Sequence, residues 1–334
     1  MRTVWDGVDQ LLDAAESDSA VAVHGLQLLA LRRWRETGRP VPPMWLDDQR
    51  LMSVVTLSLP TVLRRVREAV PGPILLMKGP EVACLYPDPA LRPYGDLDLL
   101  VRDTDGARRS LVEVGLSLVE ELPDQDRHHH SRPLRLDPLP LMVELHRRPN
   151  WFPWLPPPPV EELFAAAIPS RLGVEGVSTL SPEHHALLVA VHGWRHGPLL
   201  SLGHLLDLAL LAQECDFDEL LRTAERWRVR RIWETSLLAA RSVLLGEGSS
   251  LPLLVGGQHL RRVRERSIIG IHASVYLGTL WMPSPIVTAR AWTHLVSTTL
   301  RPLEAQSWTS RLARLARVAR RSTRPVSTYR NIEM

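Results

Sequence analysis

Lysine is almost missing from this chain. Lys and Arg together number 40 in 334 residues, yet Lys78 is the only lysine, so every other permanent cation is an arginine. Cysteine is nearly as scarce. Cys84 and Cys215 stand far apart and in no ligand-type spacing, which excludes a disulfide framework and a cysteine-based zinc site. The stretch MRTVWDGVDQLLDAAESD lacks the apolar core of a signal peptide. Long hydrophobic runs are lacking too. The longest uncharged stretch, 267–289, is interrupted by His272, Pro283 and Pro285, and reads as a buried helix and a turn rather than a membrane span. A cytoplasmic protein without a transmembrane segment is the expectation. The formal net charge of +3 is too small to imply nucleic-acid binding by itself.

What is present suffices for a large core. Hydrophobic residues make up 45% of the chain and charged ones 23%, as in soluble proteins of about two domains. Residues 1–70 carry apolar side chains at three- and four-residue spacing and read as an N-terminal helical segment. Pro71-Gly72-Pro73 ends that pattern. Over 71–150 the short runs ILLM, DLDLLV and LMVELH read as strands and DTDGARRSLVEVGL as a helix, giving an α/β core. Residues 151–180 contain Pro156 to Pro159 and are expected to form a proline-rich linker. From residue 181 to 334 the pattern is helical again. The expected fold class is therefore α+β: a small mixed sheet with flanking helices, N-terminal helices and an α-helical C-terminal domain.

The chemistry is concentrated in PILLMKGPEVACLYPDPALRPYGDLDLLV, residues 73–101. Asp96 and Asp98 are two apart on an expected strand, so both carboxylates project from one face while Leu97 and Leu99 project from the other. Carboxylates this close repel unless a cation sits between them, and hard oxygen ligands favour Mg²⁺ or Mn²⁺. On a second strand, Glu144 and His146 share a face within an apolar run. A buried Glu144 needs a partner, and a metal shared with Asp96 and Asp98 would supply one. Such a layout suits metal-assisted phosphoryl or nucleotidyl transfer. Solvated acids on an edge strand are the alternative. Lys78 closes the first strand, and Gly79 opens a helical stretch. A strand, a glycine and a helix start can receive a phosphate, and a lysine there is a compact charge unlike the planar fork of arginine.

This ordered set, Lys78-Gly79, Arg92, Asp96-x-Asp98 and Glu144-x-His146, resembles a divergent nucleotidyltransferase-like family. That family is a branch of the DNA polymerase beta-type nucleotidyltransferase superfamily. The resemblance is strong over about residues 73–151 and weaker over the helices that follow. It implies that Asp96, Asp98 and Glu144 are metal ligands, that Lys78, Gly79 and Arg92 face a nucleoside triphosphate, and that His146 supports them. The reaction implied is transfer of a nucleoside monophosphate to an acceptor the sequence does not name: a small molecule, protein, peptide or RNA. A catalytically silent nucleotide- or peptide-binding scaffold and a toxin-like enzyme acting on transfer RNA are the other readings. Two departures stand out. The wider superfamily carries Gly-Ser where this chain has Lys78-Gly79, and Glu81 follows where a small apolar residue is expected.

Other motifs read as packing. His185, His192 and His196 fall on one helical face, with His204 and Asp207 in the next helix. They are expected to bond between helices rather than to hold a metal. His128, His129 and His130 read as a polar loop, and Trp151 and Trp154 as a cover for the domain junction. The arginine-rich stretch 310–324 is expected to dock through its apolar stripe, with contact to a membrane, RNA or acidic partner as the alternative.

Overall fold

Local capping chemistry sets the N-terminal helices. Helix α1 (Val4–Asp13) starts at Thr3, whose hydroxyl accepts from the Asp6 N–H while the Asp6 carboxylate accepts from the Thr3 N–H. Ser17 caps α2 (Asp18–Val23), and α3 (Gln27–Thr37) ends on Gly38 at φ 72°. Helix α4 (Pro43–Ala69) begins with a proline where no N–H is needed. This computed structural model describes residues 2–119, 132–248 and 257–300, and beyond them only positions 309, 310 and 316. The three-histidine run at 128–130 and nearly all of the basic stretch 310–324 lie outside the described residues.

After the Pro-Gly-Pro break the chain alternates. It forms β1 (Ile74–Leu76), the single turn α5 (Gly79–Ala83), β2 (Asp96–Leu100), α6 (Thr104–Glu113), β3 (Ser117–Leu118), β4 (Leu134–Arg135) and β5 (Met142–His146). Helix α7 (Val160–Ala165) and strands β6 (Ile168–Pro169) and β7 (Val177–Thr179) follow. Among the described residues these strands build one mixed sheet in the order β3-β4-β5-β2-β1-β7-β6. Strand β2 runs antiparallel to β1 and parallel to β5, and β1 runs parallel to β7. The α+β class is thus observed. The stretch expected as a linker, 151–180, differs: it carries a helix and two strands of the sheet. The run Pro156 to Pro159 belongs only to the approach. Pro169, without an N–H, sits on the edge strand β6, where a missing donor is tolerated.

The second half packs α8 (Pro182–His196), α9 (Leu202–Leu211), α10 (Phe217–Arg226) and α11 (Arg230–Ala240), the last running into a π-turn at Arg241–Leu245. Helices α12 (Ile268–Gly278) and α13 (Pro285–Leu300) follow. No helix among the described residues is long and apolar enough to cross a membrane. One apolar core is continuous from Trp34 and Leu63 through Leu76, Leu99 and Leu145 to Leu187 and Trp233. Trp151 is buried edge-on against Trp227 with ring centres 5.9 Å apart, and Trp154 donates to the Met282 sulfur at 3.1 Å. Both therefore cover the junction of sheet and helices.

Buried His24 ties the N-terminal segment to this half. Its Nε2–H donates to the Arg264 carbonyl at 3.0 Å, its Nδ1 accepts from the Leu202 N–H at 3.3 Å, and its carbonyl accepts from the Gly203 N–H at 2.9 Å. A side chain on Gly203 would begin 2.9 Å from that carbonyl. The start of α9 is thus capped from a distant helix, and only a neutral imidazole can do it, because Nδ1 must accept. Burial lowers the His24 pKa to about 4, against 6.5 for a free histidine. Between these values the unfolded chain holds the proton and the native one does not, so stability is complete above about pH 6.5 and lost as pH falls toward 4.

Two outcomes follow from this packing. The stability measured by urea unfolding drops by about 2 kcal/mol between pH 7 and 5 from His24 alone. His185, lowered to about 3 by burial, adds in the same direction. Gly7→Ala destabilises by at least about 2 kcal/mol, because its Cβ would fall 1.8 Å from the Leu244 carbonyl oxygen in the π-turn. A urea midpoint equal to wild type would contradict that packing.

Candidate functional site

Strand alternation places the acids. Asp96 and Asp98 share one face of β2, and the parallel register sets Asp98 opposite Glu144 and Leu100 opposite His146. His146 Nε2 reaches Asp98 Oδ1 at 2.9 Å and Glu144 Oε2 at 3.5 Å. Asp98, Glu144 and His146 each bring a ligand atom within 4.8 Å of the others, a group that could hold a metal ion. His146 is thus in the group itself. Asp96 lies outside it, two residues earlier and lining the adjoining cleft.

Lys78 is held in place by its backbone. The Met77 N–H donates to the Asp98 carbonyl at 2.9 Å, and the chain then turns through Lys78 at φ 35°, ψ −147°. Residues with a side chain rarely adopt this conformation, and it costs on the order of 1–3 kcal/mol. The ammonium sits 3.0 Å from Asp98 Oδ2 and 3.4 Å from His192 Nδ1 on α8. Gly79 follows at φ 42°, and a Cβ there would lie 3.2 Å from the Asp96 carbonyl. The helix-start cradle expected at this point is slight. Helix α5 is one turn, Pro80 has no N–H, and the Glu81 N–H is spent on the Lys78 carbonyl at 3.1 Å. Glu81 itself turns away into the interior, where its carboxylate accepts from the Ser170 hydroxyl and from the Arg171 N–H. Its charge therefore does not face the cleft.

Arg92 has a partner that no short motif announces. Its Nε and Nη2 donate to the two oxygens of Asp207 on α9 at 2.9 and 2.8 Å, and Nη1 donates to the Gly79 carbonyl at 3.1 Å. The Tyr86 hydroxyl donates to the same Asp207 carboxylate at 2.8 Å. The clamp joins the sheet half to the helical half and fixes the guanidinium on the wall of a cleft of about 150 Å³, together with Lys78, Tyr94, Asp96 and His204. His192, His204 and Asp207, read from sequence as packing residues, therefore line the site. What could have pointed to them was their recurrence on one face of successive helices.

The charges are unevenly compensated. Burial pushes the Asp98 carboxyl up, but Lys78 and the His146 hydrogen bond more than offset it and leave its pKa at about 2. Burial and then the Asp98 charge raise Asp96 to about 6, with Lys78 offsetting only part. Burial lowers His146, yet its bonds to Asp98 and Glu144 outweigh that and its pKa is raised. Burial and the neighbouring Lys78 hold His192 well below the ordinary value, so it faces the ammonium as a neutral ring. Crowded carboxylates with too little cation near Asp96 fit a divalent ion, which the O,O,N group would bind.

A family model described as "uncharacterised nucleotidyltransferase" matches residues 13–244. The chain belongs to that family. No curated protein and no solved structure matches it. The match extends from the N-terminal helices to the end of α11, so this nucleotidyltransferase family includes the helical elements that carry His192 and Asp207 as well as the sheet.

The Arg92–Asp207 pair is nearly dry, with the side chains 16% and 4% exposed. Asp207→Ala strands a buried guanidinium and is expected to cost about 3–5 kcal/mol in urea unfolding. The double variant Arg92→Met, Asp207→Leu is expected to recover most of it. Equal losses in both would mean that the site is held by shape rather than by this pair.

Proposed function

We propose that the protein transfers a nucleoside monophosphate from a nucleoside triphosphate to an acceptor, releasing pyrophosphate, and that it does so with Mg²⁺ or Mn²⁺. The observation that carries this reading is the meeting of Asp96 and Asp98 with Lys78 at one cleft, with Glu144 grouped against Asp98, in a chain of a nucleotidyltransferase family. Asp98 and Glu144, with Asp96 beside them, would hold the metal, and His146 would orient Asp98 through the 2.9 Å contact. The bound ion would supply charge stabilisation at the reacting phosphate and lower the pKa of the attacking group. Lys78 would move its ammonium from Asp98 to a triphosphate oxygen. Arg92 keeps N–H groups for the cleft, because Nη1 and Nη2 each spend one hydrogen on a protein partner. A nucleoside triphosphate substrate implies access to a free nucleotide pool, which suits a cytoplasmic location.

One observation favours the silent-scaffold reading: Lys78 already neutralises Asp98 at 3.0 Å. Incubation with Mg²⁺, each α-³²P-labelled nucleoside triphosphate and cell extract separates the two. Wild type is expected to transfer label. Asp98→Asn is expected to lose at least about 100-fold while remaining folded. Lys78→Arg is expected to fall about 10-fold or more, since a planar fork cannot replace a point charge here. Full activity in Asp98→Asn rules out nucleotidyl transfer at this site. Nucleotide binding without transfer in wild type selects the scaffold.

A further inference from the structure

Helix α12 carries no Asp, Glu, Lys or Arg, and α13 carries only Arg290. A helix that is apolar all round normally lies inside a protein. Here only one side of α12 is covered. Ile268, Ser274 and Gly278 are buried, whereas Ile269, Leu277 and, in the turn that ends α12, Leu280 are exposed. Helical spacing puts these three on one face together with Tyr276. Tyr276 meets Trp292 of α13 with ring centres 5.2 Å apart, so the exposed Trp292 and Val296 adjoin that face. Ile269 is 54% exposed, Leu280 55%, and Ile286 at the start of α13 68%. Charge is sorted in the same way. No Asp or Glu occurs between Glu265 and Glu304, and residues 266–334 hold ten arginines against two acids, six of those arginines within 310–324. Residues 1–265 have the opposite excess, with more acids than bases. The family match ends at residue 244, so this apolar and basic region lies outside it.

We infer that the outer face of α12 and α13, with the arginines that follow in sequence, docks the protein on an anionic lipid surface. The inference does not depend on the nucleotidyl-transfer reading. A bilayer interface takes apolar side chains without requiring hydrogen bonds, and anionic headgroups attract arginines within a Debye length. Trp and Tyr, both present on this face, favour that depth. Other occupants fit less well. RNA is bound through phosphates and base faces and gains little from Ile269, Leu277 and Leu280. A second copy on a two-fold axis would bring two basic stretches to one interface. The chain's own 310–324 would bring six arginines to a face whose one formal charge is Arg290. No helix among the described residues can span a membrane, so the contact is with the surface. The face is firmly attached to the rest of the fold. Arg266, just before α12, donates to the carbonyls of Pro198 and Gly270 at 3.2 and 2.9 Å, and the Trp194 indole N–H donates to the Gly278 carbonyl at 3.4 Å. Trp194 and Pro198 lie at the C-terminal end of α8, the helix that brings His192 to the cleft. Docking would therefore hold the cleft at a set orientation to the lipid.

Co-sedimentation of the full chain with vesicles tests this without any nucleotide. Vesicles of phosphatidylcholine alone are compared with vesicles that contain about one-third phosphatidylglycerol. Wild type is expected to bind the anionic vesicles at least about ten-fold more tightly than the neutral ones, and to lose about ten-fold when salt rises from about 0.1 M to about 0.5 M. The double variant Ile269→Gln, Leu280→Gln changes two exposed side chains. Its urea midpoint should equal that of wild type while binding to anionic vesicles falls about ten-fold. The triple variant Arg314→Gln, Arg317→Gln, Arg321→Gln should lower binding as much and abolish the preference for anionic lipid. Three results overturn the inference. The first is wild type that sediments with neither preparation, whether its own 310–324 or a second copy covers the face. The second is vesicle binding that either set of substitutions leaves unmoved. The third is single-stranded RNA bound more tightly than anionic vesicles, which would make this a nucleic-acid surface.

Discussion

The ion pair between Lys78 and Asp98 governs the site. One partner lies two residues past β1 and the other in the middle of β2, and only 2% of the Asp98 side chain is exposed. Such a pair is stable only if both charges are held at the right distance, because Asp98 cannot fall back on water. The backbone does the holding. The Met77 N–H locks β1 to β2, the Lys78 carbonyl receives the Glu81 N–H, and buried Glu81 is fastened to Ser170 and Arg171 beside β6. The positive φ at Lys78 is what remains when all these contacts are satisfied together. The lone lysine follows from the same geometry. One nitrogen lies 3.0 Å from Asp98 and 3.4 Å from His192, a space shaped for a point charge rather than a fork.

The pair also divides the labour among cations. Arg92 is committed to Asp207 and adds little to the balance around Asp96, so Lys78, with His146 beside it, faces the row of carboxylates. Asp96, raised to about 6 first by burial and then by the Asp98 charge, is offset by Lys78 only in part. Asp98, held near 2, records where the single ammonium has gone. A site built this way has an appetite for further positive charge and a cation already in hand for a phosphate. That combination is what the proposed transfer chemistry requires.

The sequence made visible whatever depends on neighbours along the chain. The acids of β2 alternate, the apolar side chains of β1 and β5 bracket them, and Pro71-Gly72-Pro73 ends the helical period, so these elements and the α+β class could be read directly. What depends on distant partners could not. Asp207 lies far along the chain from Arg92, and no spacing rule joins them. His146 enters the ligand group because β5 pairs in parallel register, one pair beyond Leu99 and Leu145, and register is set by the whole sheet. Strands β6 and β7 are too short to show a period, so the prolines before them dominated the reading of 151–180. Glu81 stood out as a departure from the expected small apolar residue, and a helix of one turn gives no sign of which way its third residue points.

The Arg92–Asp207 clamp has a bearing on how such a protein can be divided. The sheet looks like a portable module when it is defined by its motifs, ending near residue 150. Yet β7 is the neighbour of β1, and one wall of the cleft is borrowed from α8 and α9. An excised sheet would lose a central strand partner and leave a bare guanidinium on its face. Shuffling or fusion that respects this molecule has to carry the whole span from the N-terminal helices to α11, and new sequence is best inserted in loops outside it.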